Sequence, residues 1–366
     1  MIYYCIYIVL AILSIFSLKI KPKQRILILY LAAIFVVLFQ SLRWRTGTDW
    51  EPYYICFLDS LSNSNDQFET GYIILNKIIR SFTDNYTFFL IAECSINLLF
   101  IVLFLRQMPI SNPVLGLLYL FTIAIFPIRY TLASNIILYS YTYIIRNKLF
   151  PFILLVLLAF SIHRTTIIFI PMFFIVNRQY SFKAILTIYI SAIVLGFASD
   201  YTFNKVLGVS SSILYIMGDT IQSKMNTYIT DDIPEYGTMS IVRYAISLVN
   251  STLFILFFYY HKKKYLMNDK TYNILFNLYV LGISFNRIFI QVIPDFARLT
   301  SLFTGGFIIM LIMIIDRYNG TKKIIFTTLI TVYLYLTYSR SVFGIYEDLF
   351  IPYYSVFDST QRMYVY

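Results

Sequence analysis

Charge and cysteine are both scarce in this sequence. Charged residues make up 13% of its 366 positions, against about 25% in a typical soluble domain, while hydrophobic residues make up 59%. This composition excludes a soluble enzyme and indicates a polytopic membrane protein. The three cysteines are far apart and no CxxC pair or Cys/His cluster accompanies them, so the sequence predicts no structural metal site.

Several signatures of soluble enzymes are also missing. The chain has no GxGxxG, Walker A or HExxH motif, and no DxD pair lies in its first long polar loop. We therefore expect no nucleotide cofactor and no metal. The net charge of +11 is not gathered in a basic run with interleaved aromatic residues, so nucleic acid is not an expected partner.

Apolar segments recur along the whole chain. A membrane-spanning helix needs roughly 20 apolar residues. We predict an all-α, single integral membrane domain over residues 1–366 with about 10–12 transmembrane helices. Their positions are near 2–20, 25–42, 86–105, 113–128, 130–145, 150–161, 165–176, 183–198, 240–260, 271–290, 297–316 and 323–339. No small-residue cleavage site follows the first segment, so we interpret it as a retained helix and not a signal peptide.

The segments at 150–161 and 165–176 are each too short for an ordinary span. They predict a hairpin of half-helices around Ser161-Ile162-His163-Arg164, and one long tilted helix is the alternative. With the hairpin, the lysines at 262–264 fall on the same side of the membrane as those at 19–23; with a single helix they fall on opposite sides. Because lysine and arginine concentrate in cytoplasmic loops, we prefer the hairpin.

This topology predicts an outward working face. Its cytoplasmic loops carry 16 of the 29 lysines and arginines but two of the 18 acidic residues. Two long loops, at about 43–85 and 199–238, lie on the outer side, as does the tail after residue 338. Isoleucines between residues 71 and 82 recur at helical spacing and predict an interfacial helix in the first loop.

One short polar stretch opens the first outer loop. It contains two arginines, two carboxylates and both tryptophans of the chain: Arg43-Trp44-Arg45-Thr46-Gly47-Thr48-Asp49-Trp50-Glu51-Pro52-Tyr53-Tyr54. Charge concentrated at one membrane edge is typical of a site for a charged or sugar-like ligand. Trp44, Trp50 and Tyr53 are candidates for contacting sugar rings, although interfacial tryptophan is also a common membrane anchor.

Arginines at the predicted outer edge are candidate phosphate ligands. The planar guanidinium makes bidentate hydrogen bonds to a phosphate, so several arginines from different helices could hold a pyrophosphate. The alternative is that they anchor helices by reaching lipid headgroups. The candidates are Arg43, Arg45, Arg129, Arg164, Arg243 and Arg298.

Three residues are candidates for a general base or for orienting a hydroxyl group. A sugar hydroxyl is a poor nucleophile, and a nearby imidazole or carboxylate can accept its proton. His163, Asp49 and Glu69 are the residues in question. His163 could instead be a packed histidine. Asp49 could instead cap a helix that starts near Trp50.

The order of these motifs resembles a known family. The pattern Arg-x-x-x-Gly-Thr-Asp-Trp-x-x-Tyr is present from Arg43 to Tyr53. It is followed by Phe68-Glu69-Thr70-Gly71-Tyr72, by Arg129-Tyr130-Thr131-Leu132-Ala133 and by Leu158-Ala159-Phe160-Ser161-Ile162-His163. This arrangement, over about residues 40–175, resembles the EpsG-like branch of the Wzy polysaccharide polymerases.

The resemblance implies a specific reaction. Such an enzyme has a GT-C-like membrane architecture, lies in the bacterial cytoplasmic membrane and works on its outer face. It transfers a growing glycan from undecaprenyl pyrophosphate to the non-reducing-end hydroxyl of another lipid-linked repeat unit, with inversion and without nucleotide sugar or metal. The products are O-antigen, capsule or exopolysaccharide, and a flippase and a chain-length regulator are implied partners.

The residues also allow other functions. An O-antigen ligase or a membrane acyltransferase also handles lipid-linked or sugar substrates. A flippase for lipid-linked sugars would carry charges along a central path, and Glu93 is the clearest charge within a predicted span. The sequence shows no internal repeat of the kind many transporters have.

Overall fold

A computed structural model describes residues 2–47, 49–62, 68–126, 129–198, 240–290, 297–344 and 347–358. Within these ranges the regular structure is helical and contains no β-strand, apart from one isolated bridge between Arg43 and Ser355. The predicted all-α class is therefore confirmed. The second outer loop, predicted at 199–238, lies outside the described residues.

The α-helices follow the predicted apolar segments closely. In chain order they are α1 (Ile2–Phe16), α2 (Pro22–Ser41), α3 (Trp50–Leu58), α4 (Thr70–Arg80), α5 (Tyr86–Gln107), α6 (Pro113–Ile123), α7 (Arg129–Ile145), α8 (Leu149–Ile162), α9 (Met172–Ile175), α10 (Phe182–Ala198), α11 (Ile241–His261), α12 (Lys270–Phe289), α13 (Ser301–Thr304), α14 (Phe307–Ile315), α15 (Gly320–Val342) and α16 (Glu347–Phe350). Short 3-10 turns extend several of them, including Arg164–Phe169 after α8.

Among the described residues, five helical runs are long and apolar enough to cross a membrane. They are Ile2–Lys19, Pro22–Ser41, Tyr86–Gln107, Ile241–Leu266 and Arg298–Ile315. Shorter apolar helices lie at Pro113–Ile123, Leu149–Ile162, Arg164–Ile175 and Phe182–Ala198. The chain is therefore a polytopic membrane protein, as predicted.

The chain groups into two compact units. The first comprises Met1–Ile170 together with Leu311–Tyr366, and the second comprises Pro171–Met310. In the first unit, α7 packs between α5 and α8. In the second unit, α12 packs against α11 and α13.

The helical segment at 150–176 is interrupted at His163. Helix α8 ends at Ile162, and His163 has extended backbone angles (φ −149°, ψ 110°) before the 3-10 turn begins. The Phe169 ring then lies 6.1 Å from that of Phe152 and stacks on Tyr141 at 5.4 Å. The chain thus turns back along α8, as the predicted hairpin requires, and one continuous helix is excluded.

The tail pairs with the start of the first polar loop. The Trp44 N–H donates to the Tyr354 carbonyl at 2.9 Å, and the Val356 N–H donates to the Leu42 carbonyl at 2.9 Å. The Gly47 N–H donates to the Leu349 carbonyl at 2.8 Å. This pairing holds the loop containing Arg43 and Arg45 against the end of the chain.

Gly47 lies at a position where both the backbone conformation and a neighbouring ring disfavour a side chain. Its φ is +99°, and a Cβ built on it would lie 3.0 Å from Cδ2 of Phe126. Both the backbone conformation and the close approach to Phe126 favour glycine. The sequence pattern Gly47-Thr48-Asp49 thus has a conformational reason at its first position.

We predict that Gly47→Ala destabilises the protein more than Gly320→Ala. Gly320 also has a positive φ, +59°, but nothing lies within 4 Å of a Cβ placed there. It therefore measures the backbone cost alone, about 1–2 kcal/mol. Thermal unfolding in detergent measures both variants. Equal losses would show that the approach of Phe126 imposes no constraint.

Candidate active site

Glu69 joins three separate elements of the first unit. It immediately precedes α4, where its carbonyl accepts hydrogen bonds from the N–H groups of Tyr72 and Ile73. Its side-chain Oε2 accepts a hydrogen bond from Nη1 of Arg129, the first residue of α7. Its Oε1 accepts a hydrogen bond from the backbone N–H of Arg164 at 3.1 Å. One carboxylate thus links α4, α7 and the turn after α8.

Gly71 permits the close approach that this link needs. A Cβ on Gly71 would lie 2.3 Å from Oγ and 2.6 Å from the carbonyl oxygen of Ser161. Helix α4 therefore rests on the last turn of α8 with no room for a side chain. This contact brings Glu69 beside His163 and Arg164, which follow Ser161 directly.

Arg129 is held between Glu69 and aromatic rings. Its Cζ lies 4.9 Å from the centroid of Phe68, and its side chain is 17% exposed. Its Nε has no hydrogen-bond partner among the described residues. Glu69 thus accepts a hydrogen bond from Nη1, while the Nε–H group could still donate to an anion.

The Tyr53 hydroxyl lies beside the same guanidinium. Burial raises the pKa of Tyr53 to about 12, although the positive charge of Arg129 opposes this shift. Tyr53 therefore keeps its proton at physiological pH. It can donate a hydrogen bond to an oxygen of a ligand held by Arg129.

His163 is half-buried at the turn after α8. Its Nδ1 lies 2.8 Å from Oγ1 of Thr165, and its ring meets Tyr130 edge-on at 5.0 Å. Helix α8 also ends here, so the imidazole sits on irregular backbone beside Arg164. Arg164 itself is exposed, with its N–H held by Glu69.

Arg43 and Arg45 already have protein partners. Arg43 is 4% exposed, donates from Nη1 to the Gln40 carbonyl at 3.0 Å, and lies 4.8 Å from the Phe126 ring centroid. Arg45 Nε lies 3.7 Å from Glu51 Oε2. Arg43 is thus buried against neighbouring residues, while Arg45 is partly exposed, and the phosphate contacts predicted for both stay predictions.

The two predicted tryptophan contacts differ. Trp50 is 2% exposed, and its ring is enclosed by Trp44 at 5.0 Å, Tyr54 at 4.9 Å and Tyr86 at 5.3 Å. It therefore packs in an aromatic core and presents no face to a sugar in this structure. Trp44 and Tyr53 are partly exposed and stay candidates.

Asp49 precedes α3 but does not cap it. Its backbone is left-handed (φ 58°, ψ 13°), and its side chain accepts no capping hydrogen bond. The alternative interpretation of Asp49 as a helix cap is therefore not supported. The residue is exposed and stays a candidate acid–base group.

The model of the EpsG family matches residues 26–355, which is most of the chain. The chain belongs to the EpsG family. Searches of curated proteins and of solved structures return no significant match.

Membership of the EpsG family confirms the resemblance on the sequence motifs. It supports the role of a glycosyltransferase-like polysaccharide polymerase in a membrane. The matched region contains every residue of the Glu69 site, from Tyr53 to Thr165.

Two predicted phosphate ligands lie in the second unit. Arg243 is exposed near the start of α11, where its N–H donates to Oγ of Ser240. Arg298 is exposed at the start of a 3-10 turn, Arg298–Thr300. Pyrophosphate binding by Arg243 and Arg298 stays a prediction.

The sequence analysis overlooked Arg287 in α12. This arginine is almost fully buried, at 2% exposure. The signal was present, because Arg287 is the one charged residue inside the predicted span 271–290. An ionisable residue inside a span is a functional candidate on energetic grounds alone.

We predict that Glu69→Gln destabilises the protein by about 1–3 kcal/mol, because it weakens two hydrogen bonds to a carboxylate, one of them charged on both sides. Glu51→Gln is the matched control in the same loop. Its pair with Arg45 is longer and a quarter exposed, so it should cost about 1 kcal/mol or less. Thermal unfolding of both variants measures the difference. An equal effect would mean that the Glu69 junction is not a structural tie.

Proposed function

We propose that this protein polymerises lipid-linked oligosaccharide repeat units on the outer face of the bacterial cytoplasmic membrane. It would transfer the growing glycan from undecaprenyl pyrophosphate to the non-reducing-end hydroxyl of a second lipid-linked unit. The observation that supports this proposal is the Glu69 junction, which links the Arg129 side chain to the backbone N–H of Arg164, the residue that follows His163. Two arginines and a histidine on elements joined by one carboxylate fit this reaction.

The reaction needs positive charge at the leaving group. The acceptor oxygen forms a bond to the anomeric carbon of the donor glycan, while the bond from that carbon to the pyrophosphate oxygen breaks. The released lipid pyrophosphate gains one negative charge and needs no proton. Arg129 and Arg164 would bind it and stabilise the charge that develops in the transition state.

His163 is the base that we assign to the acceptor hydroxyl. This role requires the tautomer in which Nδ1–H donates to Oγ1 of Thr165. Nε2 then takes the proton as the new glycosidic bond forms. A single displacement of this kind inverts the anomeric configuration. Asp49 is the alternative base.

Glu69 is assigned a positioning role. Both of its oxygens already accept hydrogen bonds, so it is less available to take a proton from the substrate. Its role is to hold the Arg129 side chain and the backbone of Arg164 in place. The further ligands that we propose are Arg45, Arg243 and Arg298 for pyrophosphate and Trp44 and Tyr53 for sugar.

The direct test is polymerisation by the purified protein in detergent. The substrate is the lipid-pyrophosphate repeat unit of its own host, supplied with EDTA and without nucleotide. We expect a ladder of products. Absence of a ladder, while the same protein moves the lipid across vesicle membranes, would transfer the assignment to a flippase.

We predict that His163→Ala lowers the polymerisation rate by about 10²–10⁴-fold, the usual contribution of a general base. His261→Ala is the control, because His261 is the other histidine of the chain and lies at the end of α11 in the second unit. It should leave polymer length unchanged. Full-length polymer from His163→Ala, at normal protein levels, would remove His163 from the base role.

A further inference from the structure

Arg287 is buried where three helices of the second unit meet. It lies near the end of α12, and its Nη2 donates to the Ser247 carbonyl at 3.0 Å, to Ser247 Oγ at 2.9 Å and to Ser251 Oγ at 3.0 Å. Helix α10 approaches closely at Gly196, since a Cβ there would lie 2.2 Å from the Arg287 carbonyl oxygen. Hydrogen bonds to α11 thus fix the guanidinium, and α10 packs closely against the backbone of Arg287.

Two of the three nitrogens of this guanidinium lack a hydrogen-bond partner in the described part of the chain. Nε and Nη1 make no hydrogen bond there, and no carboxylate of the described residues forms an ion pair with Arg287. The Tyr244 ring lies 5.5 Å from Cζ, and the Tyr244 hydroxyl also interacts with this guanidinium. Buried arginine is ordinarily paired with an anion because the bare charge is costly in an apolar interior.

Arginine cannot remove this cost by losing its proton. Lys262, another buried cation in the same unit, has the option of becoming neutral. The guanidinium stays charged at any physiological pH. A buried arginine whose fork is half open is therefore suited to an anionic ligand, and a planar fork suits a phosphate.

Hydroxyl groups line the α11 side of Arg287. Ser251 Oγ lies 2.8 Å from the Tyr189 hydroxyl, which in turn lies 3.1 Å from Thr252 Oγ1. In this structure the hydroxyls of Ser251 and Thr252 donate to the Leu248 carbonyl, so each must rotate before it can donate to a phosphate oxygen. The surroundings therefore offer one fixed cation and several neutral donors, without a competing carboxylate among the described residues.

We propose that Arg287 binds the phosphate group of a lipid in the second unit. This inference rests on the proposed function in one respect: a polymerase of lipid-linked units must hold two lipid pyrophosphates at the same time. Arg129 and Arg164 serve one of them in the first unit. Arg287, with the hydroxyls of α11, serves the other.

The test is lipid binding by the full-length protein in detergent. The probes are polyprenyl pyrophosphate without sugar and, in a parallel arm, phosphatidylglycerol. The wild type should bind two molecules of polyprenyl pyrophosphate, and Arg287→Gln should bind one. Lys263→Gln is the matched control, because it removes one positive charge from an exposed site of the same unit. It should bind as the wild type does.

The two arms identify the source of the phosphate. Loss of phosphatidylglycerol binding in Arg287→Gln, with both pyrophosphate sites kept, would support a phosphate site for a bulk lipid and would overturn the assignment to the second substrate. Unchanged binding of both lipids would overturn the inference. Arg287→Lys is a second variant that keeps the positive charge but lacks the planar guanidinium, so it is less prone to misfold than Arg287→Gln. We expect it to bind the second polyprenyl pyrophosphate at least about tenfold more weakly than the wild type does.

Polymerisation by the same preparations separates this inference from the proposed function. A wild-type ladder together with unchanged binding by Arg287→Gln would overturn the role of Arg287 alone. Lipid binding that depends on Arg287, without any ladder from the wild type, would overturn the polymerase and leave the phosphate site in place.

Discussion

The first unit depends on the pairing of one carboxylate with one guanidinium in largely apolar surroundings. Glu69 and Arg129 are 60 positions apart in sequence, and each is mostly buried at its side chain. Leaving either one alone there would cost far more than the pair contributes. The pair therefore fixes where α7 begins relative to α4, and the second oxygen of Glu69 adds the turn at Arg164.

The contact between α4 and α8 at this junction also explains which residue types occur around the site. Gly71 must be small because α4 rests on Ser161, and α8 must end before His163 because the backbone turns back there. The polar loop from residue 43 is anchored separately, by backbone hydrogen bonds to residues 349–356. Two independent supports thus hold the predicted outer face of the first unit.

Local pattern predicted much of this fold. Apolar segments predicted where most of the helices lie, including the five that are long enough to cross a membrane. Isoleucine spacing predicted the helix at Thr70–Arg80, and two short segments predicted the break at His163. These features depend on neighbouring residues. Long-range pairing was not predictable, because nothing local links Glu69 to Arg129 or the tail to Gly47.

The same difference between local pattern and long-range contact applies to individual site residues. A tryptophan near a membrane edge looks the same in sequence whether it faces a ligand or a core, and only packing shows that Trp50 is enclosed. The chemical type of each residue was readable from the sequence. Its direction and its partners depend on elements far along the chain.

The most direct test of this account is a charge exchange between Glu69 and Arg129. The double variant Glu69→Arg, Arg129→Glu restores the ion pair with its polarity reversed, but it puts a carboxylate where the account requires a cation for pyrophosphate. We predict that it recovers part of the thermal stability lost in Arg129→Glu alone while remaining unable to form polymer from the lipid-linked repeat unit. Recovery of polymer together with stability would contradict the account, because Arg129 would then be a structural partner of Glu69 and nothing more.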